Sequence, residues 1–148
     1  MDVIKNNATT SETFVMALRI YYEDTDTGGV VYYANYLRFF ERARTEWLRQ
    51  LGFGQQEVMQ TQGIAFAARS AQIEYLKPAR LDDMLTIVSS ISELGRAQVV
   101  FDQRAERNGE LLVDARVRIA SFDPVRGKAV AMPKEIHQKF KTLIGTPA

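Results

Sequence analysis

The chain has 148 residues, 46% of them hydrophobic and 25% charged, with a formal net charge of +1. That size and balance fit one globular domain, and near-neutral charge gives no electrostatic basis for nucleic acid or an anionic membrane as the main partner. There is no cysteine and a single histidine, His137, so thiolate chemistry, disulfides and cysteine-bound metals are excluded.

Met1 to Thr13 is polar, lacks the apolar stretch of a secretory signal, and reads as a poorly ordered leader over 1–13. No apolar run approaches the ~20 residues of a membrane span, so no membrane insertion and a cytoplasmic location are expected. Residues 14–142 read as one domain, followed by a tail over 143–148. Phe14 to Tyr22 is a strand by its aromatic and β-branched content. Tyr33 to Leu51 is an amphipathic helix ~28 Å long, with Tyr36, Leu37, Phe40, Ala43, Trp47, Leu48 and Leu51 spaced by three and four. Gly52 sits where a helix C-cap glycine belongs.

From Ile64 the pattern changes to period two and runs to Leu76, with Pro78 ending it. Leu85 to Ile91 forms another strand, and Gly95 turns the chain into Gln98 to Arg107. Asn108-Gly109 signals a type I′ hairpin into the alternating strand Leu111 to Ser121. Lys128 to Met132 reads as a short last strand, and Pro133 opens a terminal helix that carries His137 at a solvated position. Long antiparallel strands of about the helix's own length would wrap around it and cover its apolar face. The expected class is α+β, a long central helix wrapped by a curved antiparallel sheet.

The stretch Tyr22-Glu23-Asp24-Thr25-Asp26-Thr27-Gly28-Gly29 carries the chemistry. It puts carboxylates and close-approaching glycine backbone just before a helix N-terminus, whose free N–H groups favour developing negative charge. A calcium loop would need an oxygen ligand and a glutamate where Gly28 and Asn35 stand. An aspartyl phosphotransferase would need Thr or Val at position 28 and parallel βαβ units, which the hairpins oppose. Asp24 and Thr25 are expected to cap the turn, and Asp26, beside the glycines, is the functional candidate.

Tyr21-Tyr22-Glu23-Asp24-Thr25-Asp26 with Gly28-Gly29-Val30-Val31-Tyr32, followed by Phe40-Glu41-Arg42-Ala43-Arg44-Thr45-Glu46, resembles the hotdog-fold acyl-CoA thioesterases. The nearest branch is the Tol–Pal-associated subgroup of the 4-hydroxybenzoyl-CoA thioesterase family. Glu74-Tyr75 and Pro78-Ala79-Arg80-Leu81-Asp82-Asp83 are similar to that subgroup too. The likeness spans about Leu18 to Pro133.

The resemblance implies a hotdog fold, a homodimer or homotetramer with its site at the subunit interface, and acyl-CoA as substrate. No separate cofactor or metal is implied, because coenzyme A is part of the substrate. Asp26 falls on the family's catalytic aspartate, acting as general base or nucleophile, and the Tyr33 backbone N–H on its carbonyl-polarising donor. The subgroup commonly has histidine where this chain has Tyr33.

Tyr22, Gly28, Gly29 and Tyr32 are candidates for substrate contact, as is Ser70 for the pantetheine arm. Arg69, Lys77, Arg80, Arg126 and Lys128 are candidates for the CoA phosphates. Phe39, Phe40 and Trp47 are expected in the core or an interface. A rival reading is a scaffold or acyl-carrier-protein binding module with vestigial activity, motivated by the change at Tyr33. A hotdog hydratase or dehydratase is the third, and it lacks a histidine near the loop.

Overall fold

A computed structural model describes residues 12–144, so the expectations for 1–11 and 145–148 lie outside the described residues. Strand β1 (Phe14–Arg19) leads through a 3-10 turn (Tyr22–Asp24) to helix α1 (Asn35–Gln50) and a second helix α2 (Gln55–Gln62). Strands β2 (Ala65–Tyr75), β3 (Met84–Leu94), β4 (Gln98–Arg107), β5 (Glu110–Asp123) and β6 (Lys128–Ala129) follow, and helix α3 (Lys134–Leu143) closes the domain. The strands form one antiparallel sheet in the order β1-β3-β4-β5-β2, with β6 on β5.

Helix α1 packs Tyr36, Phe39, Phe40, Ala43, Trp47 and Leu48 against the sheet's inner face. There they meet Leu85, Ile87, Val99, Phe101, Val113, Val117 and Ile119. The α+β expectation of a long helix cradled by an antiparallel sheet therefore holds. Phe39, Phe40 and Trp47 are core, with Trp47 packed against Phe14 and Phe101 at ring-centre distances of 5.9 and 6.0 Å. Truncating a fully buried phenylalanine such as Phe40 costs ~3–5 kcal/mol, so this face dominates the stability of the helix.

One expected apolar position of α1 differs, and one arginine outside that set is enclosed. Leu37 is 44% exposed and Arg44 is 8% exposed, so an aliphatic residue faces out while a charge is enclosed. The helix ends as expected in a Schellman motif: Gly52 has φ +93°, its N–H donates to the Arg49 carbonyl, and Phe53 N–H donates to Leu48 at 2.8 Å.

Other boundaries move for local reasons. The first strand stops at Arg19, not Tyr22, because Asp24 draws the chain into the 3-10 turn by accepting the Tyr21 N–H at 2.8 Å. The last strand is only Lys128–Ala129. Helix α2 has no counterpart among the expected elements, since one buried side chain, Val58, anchors an otherwise polar segment. Asn108 and Gly109 have φ +52° and +80°, the type I′ hairpin expected.

Leu143, assigned to the tail, is the buried last residue of α3, and its carbonyl accepts the Glu12 N–H at 3.1 Å. The packed domain therefore extends past 142 to include Leu143. His137 is half-buried rather than fully solvated.

Strand β2 is an edge. It is 11 residues long, Ala67 to Gln72 are all exposed, and no proline or lysine blunts it. Arg69 has no partner on β5, because Ala68 pairs with Ile119 and Ser70 with the next residue, Arg118. The extra residue is a β-bulge, and it reverses the face of every side chain beyond it.

Candidate active site

The loop between the 3-10 turn and α1 is held on three sides. Asp24 offers its carbonyl to the Asn35 side-chain amide at 2.9 Å and to the Tyr32 N–H at 3.0 Å, which ties the loop's start to the helix. Thr25 Oγ1 donates to the Tyr22 carbonyl at 2.8 Å. Asp24 and Thr25 thus have the capping role expected of them. On the far side, Val31 N–H donates to the Ala79 carbonyl at 2.8 Å, and Val30 pairs with Arg80.

Asp26 sits at the apex. Its Oδ1 accepts the Gly28 N–H at 2.8 Å, and its carbonyl accepts the Gly29 N–H at 3.1 Å, a β-turn reinforced by an Asx bond. A Cβ at position 28 would lie 3.3 Å from that same Oδ1, so glycine is what lets the backbone approach the carboxylate. Gly29 has φ +79°, the left-handed region that closes the turn. Oδ2 of Asp26 has no hydrogen-bond donor among the described residues, and the side chain is exposed.

Helix α1 begins at Asn35, two residues later than expected, and Tyr33 and Ala34 form the turn into it. The Tyr33 carbonyl accepts the Tyr36 N–H at 3.3 Å, while the Tyr33 N–H donates to none of the described residues. It lies at the positive end of a 16-residue helix.

Beside it opens a cavity of about 230 Å³ lined by Val31, Tyr33, Tyr36, Tyr75, Leu76 and Lys77, with Pro78 at its edge. Three of its lining residues are tyrosines. The Tyr33 and Tyr75 rings meet edge to face at 6.0 Å, Tyr75 and Tyr36 lie 5.8 Å apart, and Tyr32 leans on Tyr33 at 5.0 Å. Burial pushes the Tyr36 and Tyr75 phenols above their ordinary range, with the Tyr33 ring oxygen adding to the effect on Tyr75, so both stay neutral. Tyr36 Oη also accepts the Ala79 N–H at 3.2 Å, joining α1 to the supporting loop.

That loop, residues 77–83, is itself clamped. Arg107 donates to Asp83 at 2.7 Å and to Glu110 at 3.1 Å, and Lys77 pairs with Glu110. Partial burial pushes the Asp83 carboxyl up, but the Arg80 N–H and the Arg107 guanidinium outweigh it and hold it below the ordinary carboxylate value. Asp82 adopts φ +72° and is fixed by bonds between its N–H and Ile20 and between its carbonyl and Arg19.

The residues expected at the site divide into two groups. Asp26, Gly28, Gly29, Tyr32 and Tyr33 come together at the loop, and Arg80 is brought beside it, its side chain exposed. Lys77 stands on the cavity rim. Tyr22 is 82% exposed in the 3-10 turn and outside the cavity lining. Arg69 and Ser70 lie six and five residues back from Tyr75 along β2, roughly 17–20 Å away within one chain. Arg126 and Lys128 are exposed near β6, with Arg126 3.9 Å from Asp123. Tyr75 and Tyr36 were not foreseen as site residues, although Glu74-Tyr75 stands in the motif and Tyr36 in the helix pattern. Among the described residues no group of three or more His, Asp or Glu is placed to hold a metal ion.

The family model described as "Thioesterase superfamily" matches residues 28–113, from the glycine pair to the start of β5. The chain belongs to the thioesterase superfamily. A Haemophilus influenzae protein named "Acyl-CoA thioesterase YbgC" is 47% identical over 130 residues, covering 88% of this chain and 96% of that one. The Escherichia coli O6:H1 protein named "Acyl-CoA thioester hydrolase YbgC" is 46% identical over 129 residues, 86% of this chain and 96% of its own length. A solved structure titled "Probable Thioesterase from Bartonella henselae" superimposes with a TM-score of 0.78 at 36% identity, over 82% of this chain and 100% of that one.

The architecture of this thioesterase-superfamily chain is the hotdog fold, as the resemblance implied. Within it a larger cavity, about 470 Å³, lies on the outer face of the sheet between residues such as Gln72, Glu74, Asp102 and Arg116. Asp102 and Arg116 pair with each other there, and the cavity contains none of the loop residues.

Proposed function

We propose that this chain is a cytoplasmic acyl-CoA thioesterase that works as a homodimer and hydrolyses an acyl-CoA to free acid and CoA. The observation that carries the reading is Asp26 at the apex of the loop that leads to α1, with the Tyr33 N–H unbonded to any described residue beside a cavity lined by three tyrosines. The relatives named acyl-CoA thioesterases, matched over nearly their whole length, support the substrate class.

In this reading the Tyr33 N–H donates to the thioester carbonyl oxygen and stabilises the charge that develops there. One such donor is worth about 10²–10³ in rate. Asp26 takes a proton from water as the water oxygen bonds to the carbonyl carbon. By the other route its own oxygen attacks and forms an anhydride that water then opens. In both, the carbon–sulfur bond breaks and the CoA thiolate leaves to be protonated. Oδ2, free of the turn, is the oxygen suited to either task. Tyr33, Tyr36 and Tyr75 hold the acyl group, and Arg80 and Lys77 are the cations beside the loop for the CoA phosphates.

Strand β2 supports the homodimer. Its long unprotected edge and the exposed Leu37 of α1 form a surface that a second copy would cover. The partner would also wall in the cavity that Tyr75, the last residue of β2, helps to line.

Release of free thiol from a panel of aliphatic and aromatic acyl-CoAs, measured for wild type and Asp26→Asn side by side, tests the proposal. Asparagine keeps the acceptor for the Gly28 N–H, so the variant folds normally while kcat falls by about 10²–10⁴. Wild-type turnover in the variant, or no release by the wild type on any substrate, would overturn it.

A further inference from the structure

Arg44 is enclosed with no carboxylate in ion-pair contact among the described residues. It is 8% exposed, and its Nη1 donates to Gln103 Oε1 at 2.9 Å. Gln103 Nε2 in turn donates to the Phe40 carbonyl and to Ser89 Oγ, both at 2.9 Å. Gln103 and Ser89 are 0% exposed, so a fixed chain of polar groups runs from the helix into the sheet. That chain engages one of the five N–H donors of the guanidinium. Among the described residues no carboxylate is paired with Arg44. Burial pushes the guanidinium down to about 10, against the field of Glu41 that raises it, so it is still charged at neutral pH.

The guanidinium faces a cavity of about 290 Å³ bounded by Glu41, Leu48, Gln55, Phe66, Phe101 and Ile119. This cavity is lined on the sheet side by Phe66, Ala67 and Ala68, near the start of the β2 edge. A buried charge without a partner costs several kcal/mol, and a carboxylate entering the cavity would relieve that cost. Glu41 is the carboxylate on the cavity's rim; it is exposed, and it sits one turn before Arg44 on the same helix without pairing to it. A two-fold interface makes every contact reciprocal, so a glutamate on one rim reaches the other cavity and the other glutamate reaches back.

We propose that the Arg44 cavity receives the Glu41 carboxylate of a second copy of this chain, forming two symmetric buried ion pairs that fix how the two α1 helices meet. The proposal rests on the homodimer reading and adds the contact that sets its geometry. The edge of β2 supplies non-specific pairing capacity, whereas the Glu41–Arg44 pairs select one arrangement of the two chains.

Sedimentation measurements of the full chain test this. Glu41 is exposed within one protomer, so Glu41→Gln folds normally, and it is expected to raise the dimer dissociation constant about 30-fold or more. Glu41→Arg alone and Arg44→Glu alone are each expected to be monomeric at concentrations where wild type is dimeric. An equimolar mixture of the two is expected to form a heterodimer, because one native and one reversed pair are then satisfied.

A dimeric wild type whose dissociation constant is unchanged by Glu41→Gln would overturn the ion pairs and leave the homodimer standing. A monomeric wild type would overturn both. Saturable binding of octanoate that is lost in Arg44→Gln, with the dimer indifferent to Glu41→Gln, would assign the cavity to a small carboxylate and overturn the proposal.

Discussion

Gly28 and Gly29 stand side by side, yet replacing each with alanine should have opposite consequences. At Gly28 the backbone is not left-handed, so alanine fits the turn. Its smaller unfolded-state entropy contributes about 0.4–1 kcal/mol of stability. The new Cβ, however, lies 3.3 Å from Asp26 Oδ1, tighter than ordinary contact, and the exposed carboxylate is the group that gives way. The carboxylate then gives by a few tenths of an ångström, and since a misplacement of about 1 Å at a reacting group costs on the order of 10² in rate, the loss is several-fold. At Gly29 a Cβ would meet nothing within 4 Å, but the φ of +79° costs an alanine ~1–2 kcal/mol. For a domain of this size that lowers the melting temperature by about 3–6 °C.

Gly28→Ala is therefore expected to keep or gain stability while losing several-fold in kcat. Gly29→Ala is expected to lose stability while keeping kcat at 25 °C within about threefold. Thiol-release kinetics and thermal melts on both variants decide it. Wild-type kcat in Gly28→Ala would refute the claim that close backbone approach sets the position of Asp26.

Asp83 controls an acid limb of stability. Its folded pKa lies below the ordinary value of 3.8, so its contribution is complete above about pH 5 and is lost as pH falls through the folded value. Asp83→Asn should flatten the fall in melting temperature on acidification below the ordinary carboxylate range, leaving a residual slope from Glu110, whose carboxyl Lys77 and Arg107 also hold low. An unchanged slope would remove Asp83 from the clamp. Tyr75→Ala takes away one wall of the tyrosine-lined cavity, and since Tyr75 is 47% exposed its effect on melting should be small. The ratio of kcat/KM for longer over shorter acyl chains should rise about tenfold or more, and a substrate profile identical to wild type would place the acyl group elsewhere.

The parts of the molecule that are legible in its sequence are those specified by neighbours. Helix α1 declares itself by a three-four spacing and a C-cap glycine, the β4–β5 hairpin by Asn108-Gly109, and Asp26 by its glycines and the helix that follows. Helix α2 is silent because its stability comes from one anchor, Val58, and from its fit beside β2 rather than from an apolar stripe. Arg44 is silent for a related reason: the residue that keeps it in the core, Gln103, lies 59 positions away on β4.

Strand β2 shows how a single residue decides the site. Phe66 faces inward, toward the cavity shared with Phe101 and Ile119, and strict alternation from Phe66 would turn Ile73 and Tyr75 outward. The structure has Gln72 and Glu74 on the outer face and Tyr75 against Tyr36, so the parity has reversed between them. The reversal occurs at Arg69, the unpaired residue of the bulge. A reading by charge makes Arg69 a phosphate contact; within one protomer its visible effect is geometric, because the extra position it occupies brings Tyr75 to the inner face. The aromatic wall beside Tyr33 depends on that one-residue shift, which leaves no mark on composition or hydropathy. The loop is thus readable from local sequence, while the wall that completes the cavity depends on strand register.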